Sequence, residues 1–235
     1  MSLKITDGFT KPSLQTKSTM VPEPDSHEVR RVLNRMAEVE HIEDNKLRAE
    51  VIRVLTAAPN YFWDAPATTN EEYHHPNARG VHGLWLHTKM VFTAYERMAH
   101  SWEQMGYITE EERDYGRAAC LLHDLLKNGY PADHPEHDPE NNDHEGSVSN
   151  HDLIMADYLR ERTEMPDEVA DAVAAHMGDW YDGPSPADQT PDSYLGLLLH
   201  TADMIASTSN ITVGIYEPSD EITAMYSSVP RATFE

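Results

Sequence analysis

The run Ala119-Cys120-Leu121-Leu122-His123-Asp124-Leu125-Leu126-Lys127 constrains this chain more than any other stretch. A helix that buries Leu121, Leu122, Leu125 and Leu126 has no packing reason to carry His123 and Asp124 between them. Burying a carboxylate costs several kcal/mol unless a positive group sits beside it. The compensator is either a bound cation or a partner side chain elsewhere in the chain.

The rest of the sequence reads as helices. Residues 1–25, rich in Ser, Thr, Lys and Pro, read as a flexible arm. From Ser26, with Glu28 close behind, Val29, Val32, Leu33 and Met36 recur at helical spacing. A second helix starts near Asn45 and ends before Pro59, and 59–83 reads as an ordered loop in which His74 and His75 are solvated. Leu84 to Trp102 forms a long amphipathic helix with His87 on its apolar face. Thr109 and Glu112 make a capping box for a helix expected to run through His123 to Lys127, where Gly129 and Pro131 stop it. An acidic loop over 131–146 carries His134, His137 and His144. Further helices are expected over 148–163, from Asp167 toward His176 with Gly178 as the stop, and over 192–208 with His200 and Asp203. The fold class is all-α: one helical domain over 26–208, with 209–235 as a tail that packs on it or trails from it.

Composition excludes some partners. There are 41 acidic and 18 basic residues, a net charge of −23. Such a surface repels nucleic acid, whose phosphates are bound through Lys and Arg. It also repels itself, which is relieved at high ionic strength and suggests a salt-adapted, halophilic host. No apolar run is long enough to span a membrane. The single cysteine, Cys120, and a polar N-terminus fit a reducing, cytoplasmic setting.

His87, His123, Asp124, His151, His176 and Asp203 fall on or beside the inner faces of five expected helix segments, His123 and Asp124 sharing one. Imidazole with carboxylate is a ligand set for Zn, Mn or Fe, whereas Ca or Mg sites favour oxygen alone. A lone histidine on an apolar face is ordinarily a hydrogen-bonded core residue, and Asp203 alone could pair with a buried arginine. Five helices converging on such residues favour a metal.

The order His87, His123-Asp124, Asp203 resembles the HD-domain metal-dependent phosphohydrolase superfamily. The likeness over residues 39–208 is to the HD domain of YhaM-type 3′→5′ exoribonucleases, without their nucleic-acid-binding β-barrel. It rests on Gly83-Leu84-Trp85-Leu86-His87-Thr88, Leu122-His123-Asp124-Leu125-Leu126-Lys127, Glu145 to His151, Ala175-His176-Met177-Gly178 and Leu199-His200-Thr201-Ala202-Asp203. The resemblance implies a helical bundle around a buried site with one or two divalent ions, among Mn, Fe, Zn, Ni and Mg. His87, His123, Asp124 and Asp203 would hold the first ion, and His151 and His176 would join Asp124 around a second. His144 is an alternate to His151, and His200 an alternate or an outer support. Lys127 would face the substrate phosphate. Met177 stands where the family usually has a second histidine.

These residues imply hydrolysis of a small phosphate ester, with a nucleotide as the expected substrate and Asp124 and Lys127 as catalytic residues. The alternatives are a 3′→5′ nuclease or phosphodiesterase on nucleic acid, a regulatory module that keeps the cluster without turnover, and a di-iron oxygenase. The sequence leaves the oligomeric state open.

Overall fold

The computed structural model describes residues 20–131, 148, 150–178 and 191–215. Among them are eight α-helices: α1 (Ser26–Arg35), α2 (Asn45–Thr56), α3 (Asn60–Asp64), α4 (Gly83–Gln104), α5 (Glu110–Leu122), α6 (His151–Arg162), α7 (Asp167–Ala174) and α8 (Tyr194–Ala206). The described residues contain no β-strand beyond an isolated bridge between Tyr73 and Thr208. The all-α class expected from the periodicity is what the chain adopts. None of these helices is long and apolar enough to cross a membrane.

Local chemistry sets the helix starts. Asp25 and Glu28 form a capping box on α1, as Thr109 and Glu112 do on α5. Asp44 caps α2 by accepting from Leu47 N, and Ser193 caps α8 by accepting from Gly196 N. The loop over 59–83 is ordered, as expected, and carries short helical pieces that were not expected. It holds α3 and a 3-10 turn over Pro76–Ala78, and Tyr61, Phe62 and Trp63 are buried.

Helix α4 is the axis of the domain. It packs most extensively on α8 and α5, while α6 lies on α7 and α7 on α5. Close approach of α4 and α5 depends on Gly116, where a Cβ would lie 2.0 Å from the Tyr95 hydroxyl. The packed chain begins before Ser26. Val21 is 2 % exposed, donates its N–H to Arg162 O, and accepts from the Arg53 guanidinium. The end of the segment expected as an arm over 1–25 is thus packed on the domain, and residues 1–19 lie outside the described part. On the other side, Val213 and Ile215 are buried, so the start of the tail packs on the domain.

Helix α5 stops earlier than the apolar run suggests. It ends at Leu122, and His123 to Asn128 form successive turns, with Leu125, Lys127 and Gly129 N–H groups bonding three residues back. Leu121, Leu122, Leu125 and Leu126 are all buried, so an apolar run satisfied by a helix is equally satisfied by tight turns. Tyr61 on α3 fixes the end of this segment, donating to Gly129 O at 2.7 Å.

Candidate metal centre

The turns after α5 place His123 and Asp124 at the middle of the bundle, facing α4, α6, α7 and α8. His87 arrives from the first turns of α4, His151 opens α6, His176 lies in the turn after α7, and Asp203 comes from α8. All are buried except Asp203, which is partly exposed. The six residues expected from the sequence are brought together; His144 lies outside the described residues.

Three of the histidines share one arrangement. Nδ1 of His123 donates to Cys120 O at 2.8 Å, Nδ1 of His151 to Val148 O at 2.9 Å, and Nδ1 of His176 to Val173 O at 2.7 Å. A proton held at Nδ1 by a carbonyl leaves Nε2 as a bare lone pair, the state in which imidazole binds a metal. In each case Nε2 points at Asp124, 3.6, 3.1 and 3.6 Å from one of its oxygens.

Asp124 divides its oxygens between two groups. Oδ2 lies 3.6 Å from Nε2 of both His87 and His123 and accepts from Lys127 Nζ at 2.7 Å. Oδ1 faces His151 and His176. Asp203 Oδ1 lies 3.0 Å from His87 Nε2 and 3.9 Å from His123 Nε2. Two sets of ligand atoms, His87/His123/Asp203 and His123/Asp124/His176, lie within 4.8 Å of one another.

The donor set fits a divalent cation on an observation independent of the sequence motif. Nε2 of His87, His123, His151 and His176 and Oδ1 of Asp124 are buried without a hydrogen-bond partner. Buried polar atoms are ordinarily paired, so lone pairs left orphaned around one carboxylate form a cation-shaped demand.

Electrostatics follow the same geometry. Burial pushes the His123 imidazole down to about 4, partly opposed by Asp124. Burial works against ionised Asp124, but the Lys127 ammonium, then His123 and the nearby His151 and His176 rings, outweigh it and hold the carboxyl well below its ordinary range. Asp203 is likewise lowered, because the His87 ring beside it outweighs burial. Burial disfavours protonated His176, but Asp124 beside it raises its pKa on balance.

A cavity of about 530 Å³ opens onto Asp124, His151 and Asp203. Lys127, 14 % exposed at its side chain, lines it, together with Ala67, Tyr73, Met177 and Met204. His200, expected as an alternate ligand or outer support, donates from Nδ1 to His176 O at 2.7 Å. Its ring sits 2.7 Å from where a Cβ on Gly178 would be, and Gly178 has φ +53°, so glycine is required twice over.

One residue contradicts its expected role. His74 is not a solvated loop residue; it is 7 % exposed, with its ring 4.7 Å from that of His87. Burial, then the neighbouring His87 and Lys127, push its imidazole down to about 2. No periodicity marks it, because it lies outside any helix and is brought inward by a backbone with φ +61°.

The HD-domain family matches residues 84–207. The chain is 32 % identical over 181 residues to dihydroneopterin 2′,3′-cyclic phosphate phosphodiesterase of Methanocaldococcus jannaschii, covering 73 % of this chain and 67 % of that protein. No solved structure matches the chain significantly. The resemblance is thus borne out at the level of the superfamily, by a relative that is itself a phosphodiesterase. With the His-Asp pair at its centre and the match spanning α4 to α8, the chain belongs to the HD-domain family of metal-dependent phosphohydrolases.

Proposed function

We propose that the chain hydrolyses a cyclic phosphodiester on a small polyol that carries a planar heterocycle, with two divalent ions held around Asp124. His87, His123, Asp203 and Asp124 Oδ2 would hold one ion; His151, His176 and Asp124 Oδ1 the other. The observation that carries this reading is the ring of orphaned lone pairs around a carboxylate whose oxygens face opposite ways, at the floor of an open cavity. The imidazole-rich set suits Fe, Mn, Zn or Ni better than Mg.

Divalent ions at such a centre polarise phosphoryl oxygens and acidify water at neutral pH. The chain's own residues do the rest. Asp124 joins both groups, so loss of its carboxylate affects both. Lys127 Nζ, at the cavity wall, is paired with Asp124 Oδ2; once that oxygen serves a cation, the ammonium is available to a phosphate oxygen, where developing negative charge is stabilised. The carbonyl-bound Nδ1 protons of His123, His151 and His176 fix ring orientation.

The cavity supports a small substrate. Its volume is in the range that encloses one drug-sized molecule, and Tyr73, Met177 and Met204 offer an apolar wall to a heterocycle. The relative's name gives its substrate as the 2′,3′-cyclic phosphate of dihydroneopterin, which supports the same bond type here. Among the described residues that line the cavity, Lys127 is the one lysine or arginine, which favours a small substrate over a polynucleotide.

The test is turnover of dihydroneopterin 2′,3′-cyclic phosphate, 2′,3′-cyclic nucleotides, nucleoside monophosphates and a short RNA after loading with Fe²⁺, Mn²⁺ or Zn²⁺. Metal-dependent opening of cyclic phosphates, with RNA left intact, is expected. Metal binding without turnover of any phosphoester would overturn the reading in favour of a regulatory module.

A further inference from the structure

We infer that His74 is a positioning residue that holds Asp203, through Ser207, against one of the two ligand groups. The inference rests on the metal-centre reading above and extends it to a loop residue outside the His-Asp motifs.

His74 is held in place from both sides of its backbone. Its N–H donates to Ser207 O at 2.7 Å, and its carbonyl accepts from Arg79 Nε at 3.0 Å and Nη2 at 2.8 Å. A non-glycine residue at φ +61° persists where its surroundings over-determine it, and such residues concentrate at functional sites. The strained backbone delivers an imidazole to the end of α8.

There the hydrogen bonds have one consistent polarity. Ser207 Oγ lies 3.3 Å from Asp203 Oδ1 and 3.3 Å from His74 Nε2. A carboxylate only accepts, so the single Ser207 proton goes to Asp203. His74 Nε2 must then carry a proton and donate it to Ser207 Oγ. The relay runs from His74 N–H to Ser207 O–H to Asp203 carboxylate and terminates on the oxygen that is 3.0 Å from His87 Nε2. The His74 ring also meets the His87 ring edge to face. His74 therefore buttresses His87 and Asp203, whereas His151 and His176 are oriented by the carbonyls of Val148 and Val173.

This asymmetry is testable by Mn²⁺ binding to the full chain, followed calorimetrically, with thermal unfolding of each metal-free variant alongside. The equivalent held by His87 is identified by its disappearance in His87→Ala. His74→Phe, which keeps a ring but no N–H, and Ser207→Ala should each weaken that equivalent by about 10–100-fold, the usual cost of losing an outer hydrogen-bond partner of a ligand. The other equivalent should be unchanged. The double variant should be no weaker than the worse single one, since both break the same relay. His74→Gln, which returns an N–H donor at similar reach, should recover most of the affinity.

Wild-type affinity for both equivalents in His74→Phe and Ser207→Ala would overturn the inference while leaving the metal centre standing. Equal loss of both equivalents with a lowered Tm would also overturn it, in favour of a purely structural role. If His74→Phe does not fold, Ser207→Ala decides, because it leaves the strained backbone intact. Wild-type protein that binds no Mn²⁺, Fe²⁺ or Zn²⁺ would refute the metal centre itself, and the relay's purpose with it.

Discussion

Helices α4 and α5 carry two buried polar clusters that differ in one respect. At one place Arg117 meets Glu96 at 2.8 Å and Asp114 at 2.7 Å, and Arg113 meets Glu96 at 2.8 Å and Glu103 at 3.0 Å. Asp114 also accepts from Glu43 N and Asp44 N, tying the start of α2 to α5. Opposite charges there answer each other. Just past the end of α5, His123 and Asp124 belong to a cluster of lone pairs with too few protons to pair them. The first cluster is closed on its carboxylates, leaving the Arg113 Nε donor over, and joins helices; the second leaves acceptor lone pairs facing one another and calls for a cation. Burial and charge alone do not separate the two; the inventory of unpaired atoms does.

The largest expected effect is on the open cluster. Asp124→Ala should lower affinity for both ions by more than about 100-fold, since it removes a shared ligand and not merely an outer partner. Turnover should fall below detection. Metal analysis of purified variant and wild type checks this, and full loading of the variant would break the contrast with the closed cluster.

The closed cluster should respond in stability. Arg117→Met leaves Glu96 and Asp114 buried with less compensation, and breaking a buried pair in this way costs about 3–5 kcal/mol. Urea unfolding should show that loss, while metal affinity of the folded fraction stays at the wild-type level.

Lys127→Ala lies between the two. It should reduce kcat about 100-fold, the scale of one group aimed at developing charge, with both ions retained. Unchanged kcat on every accepted phosphoester would remove its catalytic role.

The two clusters should also part company with pH. His123 and His74 have imidazoles lowered to about 4 and about 2, so the unfolded chain takes up their protons first as pH falls below about 6.5. Their burial therefore costs stability increasingly from pH 6.5 toward 4. Asp124 and Asp203, held low, add a loss as pH falls below the ordinary carboxylate range. His176, raised, works the other way: its contribution is full below about 6.5 and is lost as pH rises through its folded value. The net expectation is a lower Tm for the metal-free chain at pH 5 than at pH 7. Replacing His123 and His74 with residues that do not titrate should flatten that slope, whereas changes at Arg117 should shift stability without altering it.

The smallest effect concerns the surface. With a net charge of −23, the chain should gain Tm between low and molar KCl as self-repulsion is screened. No gain would remove the suggestion of a salt-adapted host.

Much of this was legible in the chain. Capping residues Thr109 and Glu112 mark the start of α5, and apolar spacing puts His87 on the inner face of α4. The misfit of His123 and Asp124 within four leucines marks the centre itself. Other features were hidden for identifiable reasons. The leucines are buried by a helix or by tight turns alike, so the end of α5 at Leu122 could not be read from them. Tyr61 and His74 act from connecting segments, where no period signals which way a side chain faces.

The sequence by itself determined the helical class and the identity and order of the buried histidines and aspartates, because periodicity and the cost of burying charge act locally. The tertiary structure decided which lone pairs face one another. It set the two oxygens of Asp124 toward different histidines, turned Nδ1 of three rings onto backbone carbonyls, and drew His74 beneath Asp203 through Ser207. Those are relations between segments far apart in the chain, fixed only when α4, α5 and α8 pack together.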